Sequence, residues 1–226
     1  PEGASDAGTM VLGCWADQAS DSSYLLFPRS NRDIWEPLRA DGRLENVDFG
    51  AFKGQIGNMG ASQEARLREG ISMGVLCRTV DIQAGSSATI VFTLAWHFPN
   101  FQEEDYPPKD CKGQTIGHKY ANWFADADEV CEYALSNYDD LRCRSLEFME
   151  AYYESSYPQW LLDAAAAQLS VLVKSSWWDR EGRFGIWEGL GCCGLQTTDI
   201  TYYGSFPIVQ FFPEIECSQM RLSRDN

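Results

Sequence analysis

Glu188 stands in SSWWDREGRFGIWEGLGCCGLQTTDITYYGS, residues 175–205, among Trp177, Trp178, Trp187, Tyr202 and Tyr203. A second carboxylate, Asp199, follows eleven positions later behind a Gly/Cys-rich loop. This combination suits a sugar. The C–H face of a pyranose packs on flat aromatic rings, and its hydroxyls need polar acceptors in a mostly apolar pocket. Cleaving a glycosidic bond also needs paired carboxyl groups. The plainer alternative makes the Trp residues core, Glu188 an ordinary strand-end residue and Asp199 a helix N-cap. Composition alone leaves both readings open.

The elements that must position these residues fall into two regimes. Residues 1–98 read as β-rich. TMVLGCWA, LLFP, GVLCRTVDIQAG and SATIVFTLAWHF carry β-branched and aromatic residues with partial alternation, separated by Gly/Ser/Asn/Asp clusters. ATIVFTLAW is apolar at successive positions, as in a strand covered on both faces. Residues 99–118, with three Pro and two Gly, read as a linker. The period then changes. Trp123, Ala127, Val130, Ala134, Leu141, Leu146, Met149 and Tyr153 predict one long amphipathic helix over 119–153. Ser155 to Pro158 break it, and Pro158 opens a second helix at its first turn. Trp177-Trp178 and Arg183 to Trp187 predict two short strands around the turn Asp179 to Gly182. Thr198 or Asp199 is the expected cap of a third helix over 200–212, bent at Pro207, and Pro213 opens a fourth.

Composition excludes several functions. The chain has 226 residues, 44% of them hydrophobic, enough for a core. A formal charge of -15 without Lys/Arg stripes argues against nucleic acid and against anionic membrane surfaces. No apolar run of about 18 residues is present to span a bilayer. The opening PEGASDAGTM has neither the basic nor the apolar region of a signal peptide. Eight cysteines give no CxxC pair, and there are only two His, so no metal site is expected. No cofactor is expected either. Cys192 and Cys193 read as reduced side chains in a tight loop, with a strained vicinal disulfide as the alternative. The chain lacks an initiator Met and stops at SRDN after a helical pattern, so both ends are expected to lie inside a longer chain.

FTLAWHFPN, HKYANWFADADEV, YPQWLLDAAAAQLSVLVKSSWW, GRFGIWEG and GCCGLQTTDITYYGSFP together resemble glycoside hydrolase family 116, the family of non-lysosomal glucosylceramidase and microbial β-glucosidases. The resemblance implies a multi-domain protein: the C-terminal part of an antiparallel β-sandwich (1–98), the linker (99–118) and the first helices of an (α/α)6 catalytic barrel (119–226), truncated. It implies a retaining β-glycosidase acting on β-glucosides or glucosylceramide-like glucolipids. Glu188 matches the nucleophile and Asp199 a residue that binds sugar hydroxyls. Thr198, Trp178 and Tyr202 are expected to line the substrate subsite. The family's acid/base, an Asp, lies further along than this sequence extends, so the fragment alone is expected to be inactive. His97 stands where family members often carry Asp. The resemblance favours a cytoplasmic or peripheral-membrane location. Two other classes remain open: a non-catalytic carbohydrate-binding or scaffold module, and an inverting (α/α)6 glycosidase.

Overall fold

The computed structural model describes residues 7–26, 28, 30–48, 73–101, 115–188 and 194–225. They form sheets and helices in two compact units. One is Val11–Ala95; the other joins Pro1–Met10 to Trp96–Asn226.

The first unit is built on strands. β1 (Thr9–Ala16) pairs with β5 (Ile90–His97). The turn-side end is fastened by Asp17, whose N–H donates to the Thr89 carbonyl (3.2 Å) and whose carboxylate accepts from the Thr89 N–H (3.0 Å). A second sheet runs β3 (Val47–Asp48), β2 (Ser20–Leu26), β4 (Gly74–Val80). β2 and β4 are antiparallel from Ser20↔Val80 to Leu26↔Gly74. Leu25 and Leu44 are buried, and the buried Ser23 hydroxyl accepts from the Leu44 N–H at 3.0 Å. That bond removes most of the cost of burying a polar group there.

Three expectations for residues 1–98 are corrected. The strands are not all antiparallel, because β3 joins β2 in parallel through Leu25↔Val47 and Leu26↔Asp48. The region is not all β, because Asn31–Asp41 forms helix α1. Asp33 accepts from the Ser30 N–H at 2.8 Å to start it. Gly42 ends it in the left-handed region (φ 74°), its N–H donating to the Leu38 carbonyl. Nor is β5 covered on both faces among the described residues. Phe92, Leu94 and Trp96 are exposed, while Ala95 and His97 face inward.

In the second unit the expected 119–153 helix is three pieces: a 3₁₀ turn (Lys119–Asn122), α2 (Ala127–Ser136) and α3 (Tyr138–Tyr153). Asp126 caps α2, accepting from the Glu129 N–H at 3.0 Å. Asn137 interrupts the run. Its side-chain amide donates to the Tyr133 carbonyl at 2.8 Å, a local bond that competes with helix continuation. α4 (Gln159–Gln168) follows Pro158, whose carbonyl accepts from Leu161 and Leu162, and α5 (Val171–Lys174) is a short continuation.

β6 (Ser176–Trp178) and β7 (Phe184–Ile186) then make the expected hairpin, with Trp177 opposite Gly185 and Trp178 opposite Phe184. Strand alternation sends Trp177 and Trp178 to opposite faces. Trp177 packs with Ile116 and Leu222, and partly buried Trp187 and Leu195 join that cluster. Trp178 packs against Phe184, Ile186 and Ile208. The hairpin is thus a ply between two apolar clusters. α6 (Thr198–Phe211) and α7 (Pro213–Asp225) cover it.

Candidate functional site

The site begins at the end of β7. Past Ile186, Trp187 and Leu195 form an antiparallel bridge, and the Glu188 N–H donates to the Gly194 carbonyl at 3.0 Å. These pairings close the Gly/Cys-rich loop at its base. Cys192 and Cys193, with the amides of residues 189–193, lie outside the described residues, as does Cys111. Among the described residues, Cys14, Cys77, Cys131, Cys143 and Cys217 are in no disulfide.

Glu188 is half-buried, and its carboxylate has no hydrogen-bond or ion-pair partner among the described residues. Gly194 makes room for it. A Cβ there would stand 3.2 Å from Glu188 Oε2 and 2.4 Å from Thr197 Cγ2. Glycine is needed at this position for close approach, because the second distance is impossible for a real side chain.

Asp199 sits on the next element. α6 starts at Thr198 with Thr197 as its N-cap residue, so Asp199 occupies the first turn and is not the cap. The Thr197 hydroxyl is buried and, among the described residues, makes no hydrogen bond of regular geometry. Its closeness is nevertheless the largest influence holding the Asp199 carboxyl below the usual carboxylate range, aided by the backbone N–H groups of Asp199 and Ile200. A helix N-terminus favours the same anion. Asp199 and Thr198 are exposed. Tyr202, one turn on from Asp199 and 79% exposed, shares that side of the helix and meets Tyr203 edge-on at 5.5 Å.

Glu188, Gly194 and Thr197 lie against one another, and Thr198, Asp199 and Tyr202 follow on the first turns of α6. Trp178 lies elsewhere. It is paired with Phe184, four residues before Glu188, which is roughly 13 Å along a strand. It meets Trp123 edge-on at 6.0 Å and lines a cavity of about 990 Å³ with Lys119, Phe211, Phe212, Ile215 and Arg221. Two contributors went unnoticed in the sequence: Gly194 as a spacer and Gln196 as a link, described below. Nothing marks either in the sequence beyond membership of the loop.

His97 is 3% exposed, edge-on to Tyr120 at 5.4 Å, and its Nε2 has no partner among the described residues. Burial, with the neighbouring His97 adding to it, pushes the His118 imidazole below its ordinary value. No group of three or more His, Cys, Asp or Glu side chains among the described residues could hold a metal ion. No helix among them is long and apolar enough to cross a membrane.

A protein-family model described as "beta-glucosidase 2, glycosyl-hydrolase family 116 N-term" matches residues 4–141. The match takes in the whole strand-built unit and the helical unit as far as the start of α3, and Glu188 lies beyond it.

Proposed function

The chain belongs to glycosyl hydrolase family 116, and from that premise we propose that it is part of a retaining β-glucosidase whose nucleophile is Glu188. The observation that carries the reading is the Glu188 carboxylate itself: half-buried, without a partner among the described residues, and beside a glycine that leaves space at its oxygens. A carboxylate that only held structure would be spent on a donor.

In this reading Glu188 attacks the anomeric carbon while a protonated carboxyl about 5 Å away donates to the leaving oxygen. The family resemblance implies that this partner is an Asp further along the catalytic domain than Glu188. Water then releases the glycosyl-enzyme, the partner now acting as base. Asp199, kept anionic by Thr197 and the helix terminus, accepts hydrogen bonds from sugar hydroxyls. Thr198 and Tyr202 stand beside it, and Tyr202 offers a ring to the sugar. Trp178 takes part from the other end of the hairpin, as a wall residue. The strand-built part (1–98) belongs to a β-sandwich, 99–118 is its linker, and 119–226 begins an (α/α)6 barrel. A glucolipid aglycone follows from the family resemblance, and hydrolysis of glucosylceramide compared with an aryl β-glucoside tests it.

The direct test of the nucleophile is Glu188→Gln in the whole protein, assayed on an activated aryl β-glucoside. Turnover should fall about 10⁴-fold or more. Turnover like that of the wild type would remove Glu188 from the role. An inverting mechanism would show instead as α-glucose in the first product, read by NMR.

A further inference from the structure

We infer that Gln196 is a positioning residue that fixes the carboxylate of Glu188 relative to Asp199, an inference that rests on the reading of Glu188 as nucleophile. Gln196 lies between the two carboxylates in sequence and is tied to the element of each. Its N–H donates to the Ile186 carbonyl at 2.9 Å. Its side-chain Oε1 accepts from the Ile186 N–H at 3.1 Å. Its Nε2 donates to Thr201 Oγ1 at 2.9 Å. Ile186 is fully buried and stands two residues before Glu188; Thr201 stands two residues after Asp199. One side chain thus acts as a strand neighbour to β7 and as a brace to the first turns of α6.

The backbone adds a second, independent observation. Gln196 has φ 60°, in the left-handed region, where a side chain is strained and glycine is not. Such a residue persists when its surroundings over-determine it. Glycine would serve a bare turn better, so the side chain must do something glycine cannot. Space is also reserved for it: a Cβ at Gly185 would come within 3.3 Å of Gln196 Oε1. The three bonds set the strand end that carries Glu188 against the helix start that carries Asp199. Displacement of a nucleophile by an ångström is enough to cost about 100-fold in rate.

The test is trapping of the whole protein with 2-deoxy-2-fluoro-β-glucosyl fluoride. The nucleophile's carboxylate forms an ester bond to the anomeric carbon as the C–F bond breaks and fluoride leaves. Peptide mass spectrometry then locates the label. Gln196→Met keeps length but loses both side-chain bonds. Gln196→Gly also relieves the backbone. Gln196→Glu keeps the acceptor for Ile186, and the Thr201 hydroxyl can turn to donate to it. The expected result is a label on Glu188 in the wild type, trapping slowed by about 10- to 100-fold in the Met and Gly variants, and recovery to within about threefold in the Glu variant. A purely structural role would not order the variants this way, since glycine fits φ 60° best. Near-UV circular dichroism verifies the fold; should the Met variant not fold, Gln196→Gly and Thr201→Val decide. A label on another residue overturns the reading of Glu188, and this inference with it. A label on Glu188 at an unchanged rate in the Gly variant overturns the positioning role alone.

Discussion

One hairpin carries a carboxylate at each end, and the two are treated in opposite ways. Asp179, at the turn, is fully buried and saturated. Its Oδ1 accepts from the Arg183 N–H at 2.8 Å and its Oδ2 from Arg183 Nε at 2.5 Å, while its own N–H donates to the Arg183 carbonyl. Gly182, at φ 91°, supplies the left-handed step that lets the turn close. Glu188, at the open end, is half-buried and has no partner among the described residues, with a glycine opposite its oxygens. A carboxylate buried with its charge and lone pairs satisfied does structural work. One left with free lone pairs and room beside them is available for chemistry. Both come from the same short run of sequence, so residue type and local composition could not separate them; only the partners do.

The contrast breaks most directly if the two sites are swapped in their consequences. Glu188→Gln should cost about 10⁴-fold in turnover of the whole protein while leaving the thermal midpoint within about 2 °C. Asp179→Ala should do the reverse. Removing Asp179 takes away the buried acceptor of the Arg183 N–H and Nε at the turn and costs about 3 kcal/mol, which lowers Tm by about 6–12 °C for a chain of this size. Differential scanning fluorimetry and an aryl β-glucoside assay on both variants read this out. A large fall in Tm for Glu188→Gln would place Glu188 with Asp179 as a structural residue.

Gly194→Ala sharpens the comparison on the open side. Its new methyl would meet Thr197 Cγ2 at 2.4 Å and Glu188 Oε2 at 3.2 Å. The loop must shift, at a cost of about 1–3 kcal/mol, and Glu188 shifts with it, so kcat should fall about 10- to 100-fold. Loss of stability with kcat intact would mean that the loop moves without moving Glu188.

Several of these features could be read in the sequence because a local pattern encoded them. The β6–β7 hairpin follows from two apolar pairs around a polar, glycine-bearing turn, and α7 from Pro213 at its start. The unread features depend on tertiary contacts or on competing local bonds. α3 buries no residue, so no packed face forces it to continue α2, and the Asn137 side chain settles the break. α1 carries helix signals in Ser30, Asp33 and Gly42 around an internal Pro37, and it too buries no residue. The pairing of Glu188 with Asp199 in one site is what the resemblance implies, whereas the link through Gln196 depends on a left-handed glutamine, which no spacing rule signals. Trp178 looks like Trp177 in sequence, and only the strand register sends it to the far end of the hairpin from Glu188.

The smallest effect lies behind the site, at the junction of α6 and α7. Glu216 Oε2 is buried without a partner among the described residues, and so is Gln219 Oε1. Burial pushes the Glu216 carboxyl above its ordinary value, and a hydrogen bond with Ser205 pulls it partly back. The Ser205 hydroxyl also accepts from Gln219 Nε2 at 3.3 Å, so one hydroxyl serves two side chains. A raised folded-state value means that the neutral acid is favoured in the fold. The stability it contributes is fully present below the unfolded value, near 4.5, and is lost as pH rises through the folded value. Glu216→Gln keeps the volume and removes the charge. It should therefore raise Tm at pH 7 by about 1–2 °C, a small gain because the group is partly exposed to solvent. The gain should shrink as the pH falls and vanish by about pH 4, where the wild-type carboxyl is already protonated in both states. A pH series of melts on wild type and variant measures it. A gain of equal size at pH 4 and pH 7 would assign the effect to packing of the amide and not to the buried charge.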